Sequence, residues 1–160
     1  AFSGSKGYTM YGMRCGALIC MAPDEETAKE FNDVMRIECR GSWSNGNRAA
    51  MSVIAGIVNN DSLFESVKKE RDLYMEMLAA RGRTFMEAAR AEGLETCPYN
   101  AGFFITIPCE NAEEAGLELQ KHDVFAIVIG KGIRVSVASN TEEECKIMPA
   151  KIKAAIESCK

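Results

Sequence analysis

The chain has 160 residues, of which 47% are apolar and 26% charged, a composition typical of a globular domain with a core of its own. Its net charge of −4 and its lack of any basic run exclude nucleic acid and membrane surfaces as expected partners, and its apolar runs are too short to span a bilayer. Seven cysteines without a Cys-x-x-Cys pair, with a single histidine, predict reduced thiols in a cytoplasmic protein and no metal site.

The chain opens on a glycine-rich polar stretch, residues 2–16, that gathers hydroxyl groups and cations. Ser3 precedes Lys6 by three residues, and Arg14 follows that lysine by eight. A lysine amine can bond a carbonyl carbon, while a serine hydroxyl and a planar guanidinium suit a phosphate. The three residues are therefore candidates for holding a phosphorylated carbonyl cofactor. A solvated lysine in a polar turn is the alternative.

The next part of the chain predicts a strand followed by two helices. Residues 14–21 are mostly apolar and indicate a buried strand that begins at Arg14. Asp24 is the expected N-cap of a helix that runs to about residue 38. A polar, turn-rich connection at 40–47 leads into a short apolar helix at 48–58.

The most strongly periodic segment follows, and it predicts one long helix. Ser62 and Glu65 have the spacing of a capping box, and Gly93 is the expected stop. Its apolar stripe, which includes Tyr74, Met77 and Met86, predicts core packing. Gly82 inside the helix costs about 1 kcal/mol relative to alanine, which a helix of this length tolerates.

The remaining third of the chain alternates between strand and helix patterns. The predicted elements are strands at 103–107, 124–129 and 133–138, helices at 112–121 and 141–147, and a last helical segment that Pro149 kinks or restarts. Gly130-Lys131-Gly132 is a hairpin connection between the last two strands. A long helix followed by a small mixed sheet with covering helices is α/β or α+β architecture.

The residues of the first stretch resemble a known family. Ser3, two residues, Lys6, and then the order Tyr-Gly-x-Arg-x-Gly at 11–16 are similar to the lysine segment of the fold-type I, pyridoxal-phosphate-dependent aminotransferases, most of all the aspartate and aromatic branch of class I and II. The resemblance implies that Lys6 is catalytic and forms a Schiff base with pyridoxal 5′-phosphate. It also implies that Ser3 and Arg14 bind the phosphate of that cofactor.

Two further arginines lie in segments that resemble the same family. Arg134, in a run of alternating apolar residues, is similar to the arginine that grips the substrate α-carboxylate. Alternation predicts that Ile133 and Val135 lie on the face of the strand opposite to Arg134. The alternative to a binding role is therefore that Arg134 simply lies on an exposed strand face. Arg40, in Arg-x-x-Trp-Ser-Asn, resembles the arginine that reaches into the neighbouring subunit and pairs with a substrate side-chain carboxylate.

The order of elements resembles the C-terminal part of the pyridoxal-phosphate transferase fold. This implies the end of the large cofactor-binding domain at 1–60, a long connecting helix at 61–93 and a small C-terminal α/β domain at 94–160. The resemblance would supply less than half of such an enzyme, and the chain starts at Ala1 only five residues before Lys6. We therefore expect a fragment that is inactive alone, from a cytoplasmic homodimer that uses an amino acid and a 2-oxo acid.

Two other functions fit parts of the sequence. Ser3-x-x-Lys6 is also the spacing of a serine nucleophile activated by lysine, although the companion Ser-x-Asn and Lys-Thr-Gly elements are only partly echoed. A non-enzymatic dimerising module, in which the lysine loop is a relic, fits the same apolar faces.

Overall fold

The structure is a computed structural model that describes residues 1–159. The chain divides into two compact units, the first spanning Ala1–Arg71 and the second beginning at Asp72. The division falls within one long helix, and each unit is described by itself below.

The first unit holds a short hairpin-like pair of strands and helices. Strand β1 (Phe2–Ser3) pairs antiparallel with β2 (Gly16–Ala17), with Ser3 opposite Gly16. Between them lie the four-residue helix α1 (Gly4–Gly7) and a 3-10 turn at Tyr11–Met13. Helices α2 (Glu25–Ser42) and α3 (Arg48–Val58) follow. The N-cap prediction for α2 is confirmed, because the Asp24 carboxylate accepts a hydrogen bond from the Thr27 N–H at 2.7 Å.

The predicted buried strand at 14–21 is wrong in both extent and burial. Only Gly16–Ala17 is paired, and Leu18 and Ile19 are 60% and 68% exposed. Arg14 does not begin a strand but ends the 3-10 turn in the left-handed region, at φ 52° and ψ 54°. An apolar run becomes a buried strand only where other elements cover it, and the sheet in the described part of this unit has just two strands.

Helix α4 (Asp61–Glu92) is the long helix, although its N-cap differs from the prediction. The Asn60 side chain accepts the Leu63 N–H at 3.0 Å, so the N-cap is Asn60, two residues before the predicted cap Ser62. Gly93 ends it at φ 65°, as predicted.

The apolar stripe of α4 is core only in its second half. Phe85 is fully buried and Ala89 nearly so, while Leu78 packs against the same core. The prediction of core packing is wrong for Met77, which is 43% exposed, and for Tyr74, which is 54% exposed. Periodicity predicts which face is apolar but cannot predict how much of its length has a neighbour to cover it.

The second unit is built on a three-stranded antiparallel sheet. Strands β3 (Phe104–Pro108), β4 (Ile127–Val128) and β5 (Gly132–Ser136) are ordered β3-β5-β4, which places β5 in the centre. The predicted hairpin is confirmed, because β4 and β5 pair directly and the Ile129 N–H donates to the Gly132 carbonyl at 2.8 Å. The predicted strand at 133–138 ends early, since Val137–Ser139 is a 3-10 turn.

Two further helices complete this unit. Helix α5 (Ala112–Gln120) and helix α6 (Glu142–Ser158) contribute Leu119 and Ile152, both fully buried, to a core shared with Ile107 and Phe85. The Thr141–Glu144 capping box fixes the start of α6. Pro149 does not begin a new helix, because α6 runs through it.

Candidate functional site

The Lys6 segment is a tight loop closed by its own backbone. The Gly4 N–H donates to the Cys15 carbonyl at 2.9 Å, and the Gly4 carbonyl accepts the N–H groups of Tyr8 and Met10, each at 3.2 Å. Ser3 is the N-cap of α1, its hydroxyl accepting the Ser5 N–H at 3.3 Å. Lys6 is thereby held one turn beyond Ser3, on a short helix tied to the strand pair.

Two glycines permit this closure. A Cβ at Gly16 would lie 2.6 Å from the Phe2 carbonyl oxygen across the strand pair, so no other residue fits there. A Cβ at Gly4, which is buried, would approach the Ile54 side chain at 3.2 Å and the Cys15 carbonyl at 3.3 Å.

Arg14 and Lys6 meet at the ring of Tyr11. The Lys6 Nζ lies 4.4 Å from the ring centroid, and the Arg14 Cζ lies 5.2 Å from it. The Arg14 Nη1 also donates to the Tyr11 carbonyl at 3.0 Å. A cation over an aromatic face is attracted to it, so Tyr11 draws both cationic side chains to the same place.

A groove of about 630 Å³ opens beside this loop. Ser3 and Arg14 line it together with Trp43, Asn45 and Asn47 from the connection between α2 and α3. Arg14 is the only charged residue among the described residues that line it.

These donors suit an anion. A hydroxyl and a guanidinium that share a groove without a carboxylate favour a phosphate or a carboxylate ligand, so the residues present fit a phosphate-bearing cofactor. Lys6 is exposed and is not part of the groove lining. The structure therefore brings Ser3 and Arg14 together in the groove and brings Lys6 to Arg14 through Tyr11.

Asn47 links the connection between α2 and α3 to the Lys6 loop by hydrogen bonds. Its Nδ2 donates to the Met13 carbonyl at 3.0 Å, and its Oδ1 accepts the Ala50 N–H at 3.2 Å as the N-cap of α3. Sequence reasoning missed this residue as well as the contact of Tyr11 with both cations. An asparagine immediately before an apolar helix was the available signal.

Arg40 lies in the last turn of α2 and is exposed. Its Nη1 donates to the Ser44 hydroxyl at 2.7 Å. The groove lining includes its neighbours Trp43 and Asn45 but not Arg40 itself. The structure thus places Arg40 outside the groove lining, with its guanidinium hydrogen-bonded to Ser44.

Arg134 belongs to the second unit and lies in the central strand β5. The predicted alternation is confirmed, because Ile133 and Val135 are buried at 0% and 3% exposure while Arg134 is half-buried. Its Nε is buried and has no hydrogen-bond partner among residues 1–159. Its Cζ lies 4.5 Å from the centroid of the Phe104 ring. A buried donor without a partner is costly, and a ligand oxygen would satisfy it.

The described residues contain neither a cluster of metal-binding side chains nor a helix able to span a membrane. No group of three or more His, Cys, Asp or Glu side chains in residues 1–159 is arranged to hold a metal ion. Within the same residues, no helix combines the length and the apolar character needed to cross a membrane.

Comparisons with known proteins point in one direction. The family described as Aminotransferase class I and II matches residues 1–152. No curated protein sequence matches the chain.

Several solved structures resemble it. An aminotransferase from Anaerococcus prevotii is 31% identical with a TM-score of 0.90, over 98% of this chain and 38% of that one. The broad specificity aminotransferase from Leishmania mexicana is 20% identical with a TM-score of 0.72, over 97% and 38%. The aromatic-amino-acid aminotransferase from Burkholderia pseudomallei, covalently bound to pyridoxal phosphate, is 22% identical with a TM-score of 0.63, over 96% and 39%. The chain therefore spans about two fifths of the length of these structures.

Proposed function

Because the chain belongs to the class I and II aminotransferases, we propose that it serves the transfer of an amino group from an amino acid to a 2-oxo acid, with pyridoxal 5′-phosphate attached to Lys6. The observation that carries this proposal is the loop in which Ser3 and Arg14 line one groove and Lys6 shares the Tyr11 ring with Arg14. A lysine amine and a phosphate site are thus a few residues apart on one closed loop.

Different residues of the loop would bind different groups of the cofactor. The Lys6 amine would attach to the carbonyl carbon, and the Ser3 hydroxyl and Arg14 guanidinium would bind the phosphate. When bound, pyridoxal phosphate supplies a carbonyl group and an electron sink. Lys6, once its amine is free, is also the group able to accept and return a proton at the substrate α-carbon.

The two remaining arginines are proposed to bind the substrate. Arg134 would grip the α-carboxylate, which gives its buried Nε the acceptor that it lacks among residues 1–159. Arg40 would pair with a side-chain carboxylate in the neighbouring subunit of a homodimer, which favours aspartate-type substrates and admits aromatic ones when the arginine swings away. The hydrogen bonds from the Arg40 Nη1 to the hydroxyl and the carbonyl of Ser44, at 2.7 Å and 3.5 Å, are exposed and would break easily for such a partner.

The proposed organisation follows the family. Residues 1–60 would end the large cofactor-binding domain, 61–93 would connect, and 94–160 would form the small domain of a cytoplasmic enzyme. The compact units divide at residue 71, inside the proposed connection, which supports a helix shared by two domains.

A non-enzymatic, dimerising module is the second candidate. It is favoured by the exposed apolar side chains of Leu18, Ile19 and Met21, which offer a packing surface with no chemistry of its own. In that case the lysine loop would bind no cofactor, so the same experiment separates the two candidates.

The test is to incubate the 160-residue chain with pyridoxal phosphate, reduce it with borohydride and map the modified peptide by mass. We expect one adduct, on Lys6, that Lys6→Ala abolishes and Lys29→Ala, a surface change on α2, leaves intact. Arg14→Met should weaken cofactor binding about 10- to 150-fold, since charge-assisted hydrogen bonds contribute about 1.5–3 kcal/mol. An adduct spread over many lysines, or none, would favour the non-enzymatic module.

A further inference from the structure

Phe104 lies against the arginine that we assign to the substrate carboxylate. The Arg134 Cζ is 4.5 Å from the centroid of the Phe104 ring, well inside the range of a cation–π contact. Phe104 is 39% exposed, although it begins a strand whose next residue, Ile105, is almost fully buried. A large aromatic side chain is thus kept on the open face of the sheet beside a cation.

The strand register explains why these two side chains meet. Arg134 pairs with Thr106 on β3, and Phe104 pairs with Ser136, so Phe104 is the diagonal neighbour of Arg134 on the same face. On its other side Arg134 pairs with Ile127 of β4. Diagonal neighbours are within reach of aromatic side chains, and none of the four residues around Arg134 carries a negative charge.

This arrangement restrains the guanidinium while its Nε has no hydrogen-bond partner among the described residues. An arginine on an aromatic face keeps its planar fork of N–H donors free for hydrogen bonds. The neighbouring ring restrains the side chain without accepting from Nε, which stays buried and unpartnered among the described residues. A carboxylate strand neighbour would instead neutralise the arginine and compete with any ligand.

We propose that Phe104 is a positioning residue for Arg134, holding the guanidinium so that its N–H fork receives a carboxylate ligand. This inference rests on the proposed carboxylate-binding role of Arg134. The ring itself touches neither the carboxylate nor the reacting atoms. It reduces the number of side-chain conformations that binding must freeze, so its removal lowers affinity without removing any hydrogen bond.

The experiment follows the Arg134 Nε–H by NMR in the isotope-labelled 160-residue chain. Its resonance is assigned by its disappearance in Arg134→Lys. In the unaltered chain we expect an ordered Nε–H, less mobile than that of Arg83, which is exposed on α4. Succinate, as a simple carboxylate probe, should shift this resonance in a saturable way.

The variants separate positioning from general stability. Phe104→Leu should mobilise the Arg134 Nε–H and weaken succinate binding about 2- to 30-fold, the range that a cation–π contact spans. Phe104→Tyr, which restores a ring, should return both readouts to within about twofold of the unaltered chain. Phe103→Leu is the matched control and should change neither. Phe104→Met replaces Phe104→Leu if the latter fails to fold by circular dichroism.

Each outcome decides the proposal. An Arg134 Nε–H as mobile as that of Arg83 in the unaltered chain, or an unchanged succinate affinity in Phe104→Leu, would overturn it. If the resonance is ordered but never responds to succinate, the carboxylate role of Arg134 fails and this inference with it. If the Lys6 adduct forms while Phe104→Leu has no effect, the proposed cofactor function stands and only the positioning role of Phe104 is refuted.

Discussion

Replacing Gly82 with alanine should destabilise the second unit, although alanine is the better helix former. Alanine alone would add about 1 kcal/mol in a helix interior. Here, however, its Cβ would lie 2.5 Å from the Tyr99 hydroxyl and 2.8 Å from a ring carbon, so the ring must move. Displacing the ring breaks the 2.8 Å hydrogen bond from the Tyr99 hydroxyl to the Gly102 carbonyl, which costs about 1 kcal/mol of unfolding free energy. Overpacking of the ring costs about 1–3 kcal/mol more. The net loss is about 1–3 kcal/mol of unfolding free energy.

Chemical denaturation and a double-mutant cycle check this reasoning. Gly82→Ala in a Tyr99→Leu background should be neutral or stabilising, and Gly56→Ala on α3, where a Cβ meets nothing within 4 Å, should stabilise by up to about 1 kcal/mol. Burial raises the pKa of the Tyr99 hydroxyl, so in Gly82→Ala that pKa should fall toward its ordinary value of 10.0 as the ring enters water. If Gly82→Ala alone proves as stable as the unaltered chain, the predicted clash between its Cβ and the Tyr99 ring is refuted.

Three more outcomes follow from individual side chains. Arg134→Met should leave the unfolding free energy, measured by chemical denaturation, unchanged or raise it by about 1 kcal/mol, because it removes a buried donor that has no partner among residues 1–159. The hydrogen bond from the Thr27 N–H lowers the pKa of the Asp24 carboxyl group. The stabilisation by this cap is therefore complete above the ordinary pKa of 3.8 and is lost as the pH falls below that value. Asp24→Asn should flatten the acid-unfolding curve below this pH. Burial raises the pKa of the Cys145 thiol, whereas Cys20 is exposed. A thiol reagent at neutral pH should therefore modify Cys20 quickly and Cys145 only when the chain unfolds. Equal rates of modification would contradict the burial of Cys145.

The sequence predicted best what depends on neighbours along the chain. The fold class, part of the pyridoxal-phosphate transferase fold, is confirmed by the solved aminotransferases that the chain resembles. Helix α3 has the predicted bounds, and the alternation around Arg134 correctly separated its face from that of Ile133. The bounds of α3 and this alternation depend on a local period or on a capping residue, which sequence reports directly. The fold class followed instead from the resemblance of the Lys6 segment and of the order of elements to the aminotransferase family.

What failed depends on contacts between distant residues. The apolar character of Ile19 and Met77 was correctly observed, but their burial requires a covering element, and both are exposed. Tyr99 against Gly82 and Phe104 against Arg134 join residues 17 and 30 positions apart, and neither contact has a signature in spacing. The roles of Ser3, Lys6, Arg14, Arg40 and Arg134 remain predictions for the experiments above.

At Arg14, the conformation of the backbone lowers the stability of the fold, while the side chain is the one proposed to bind an anion. Its left-handed conformation, at φ 52°, costs a side-chain-bearing residue about 1 kcal/mol or more, and glycine would adopt it without strain. Optimising this chain for thermal stability alone would therefore favour Arg14→Gly, which relieves the backbone strain and loses the only charged side chain among the described residues that line the groove. A stabilising screen that ignores ligand binding would select the variant that lacks the guanidinium proposed to hold an anion there.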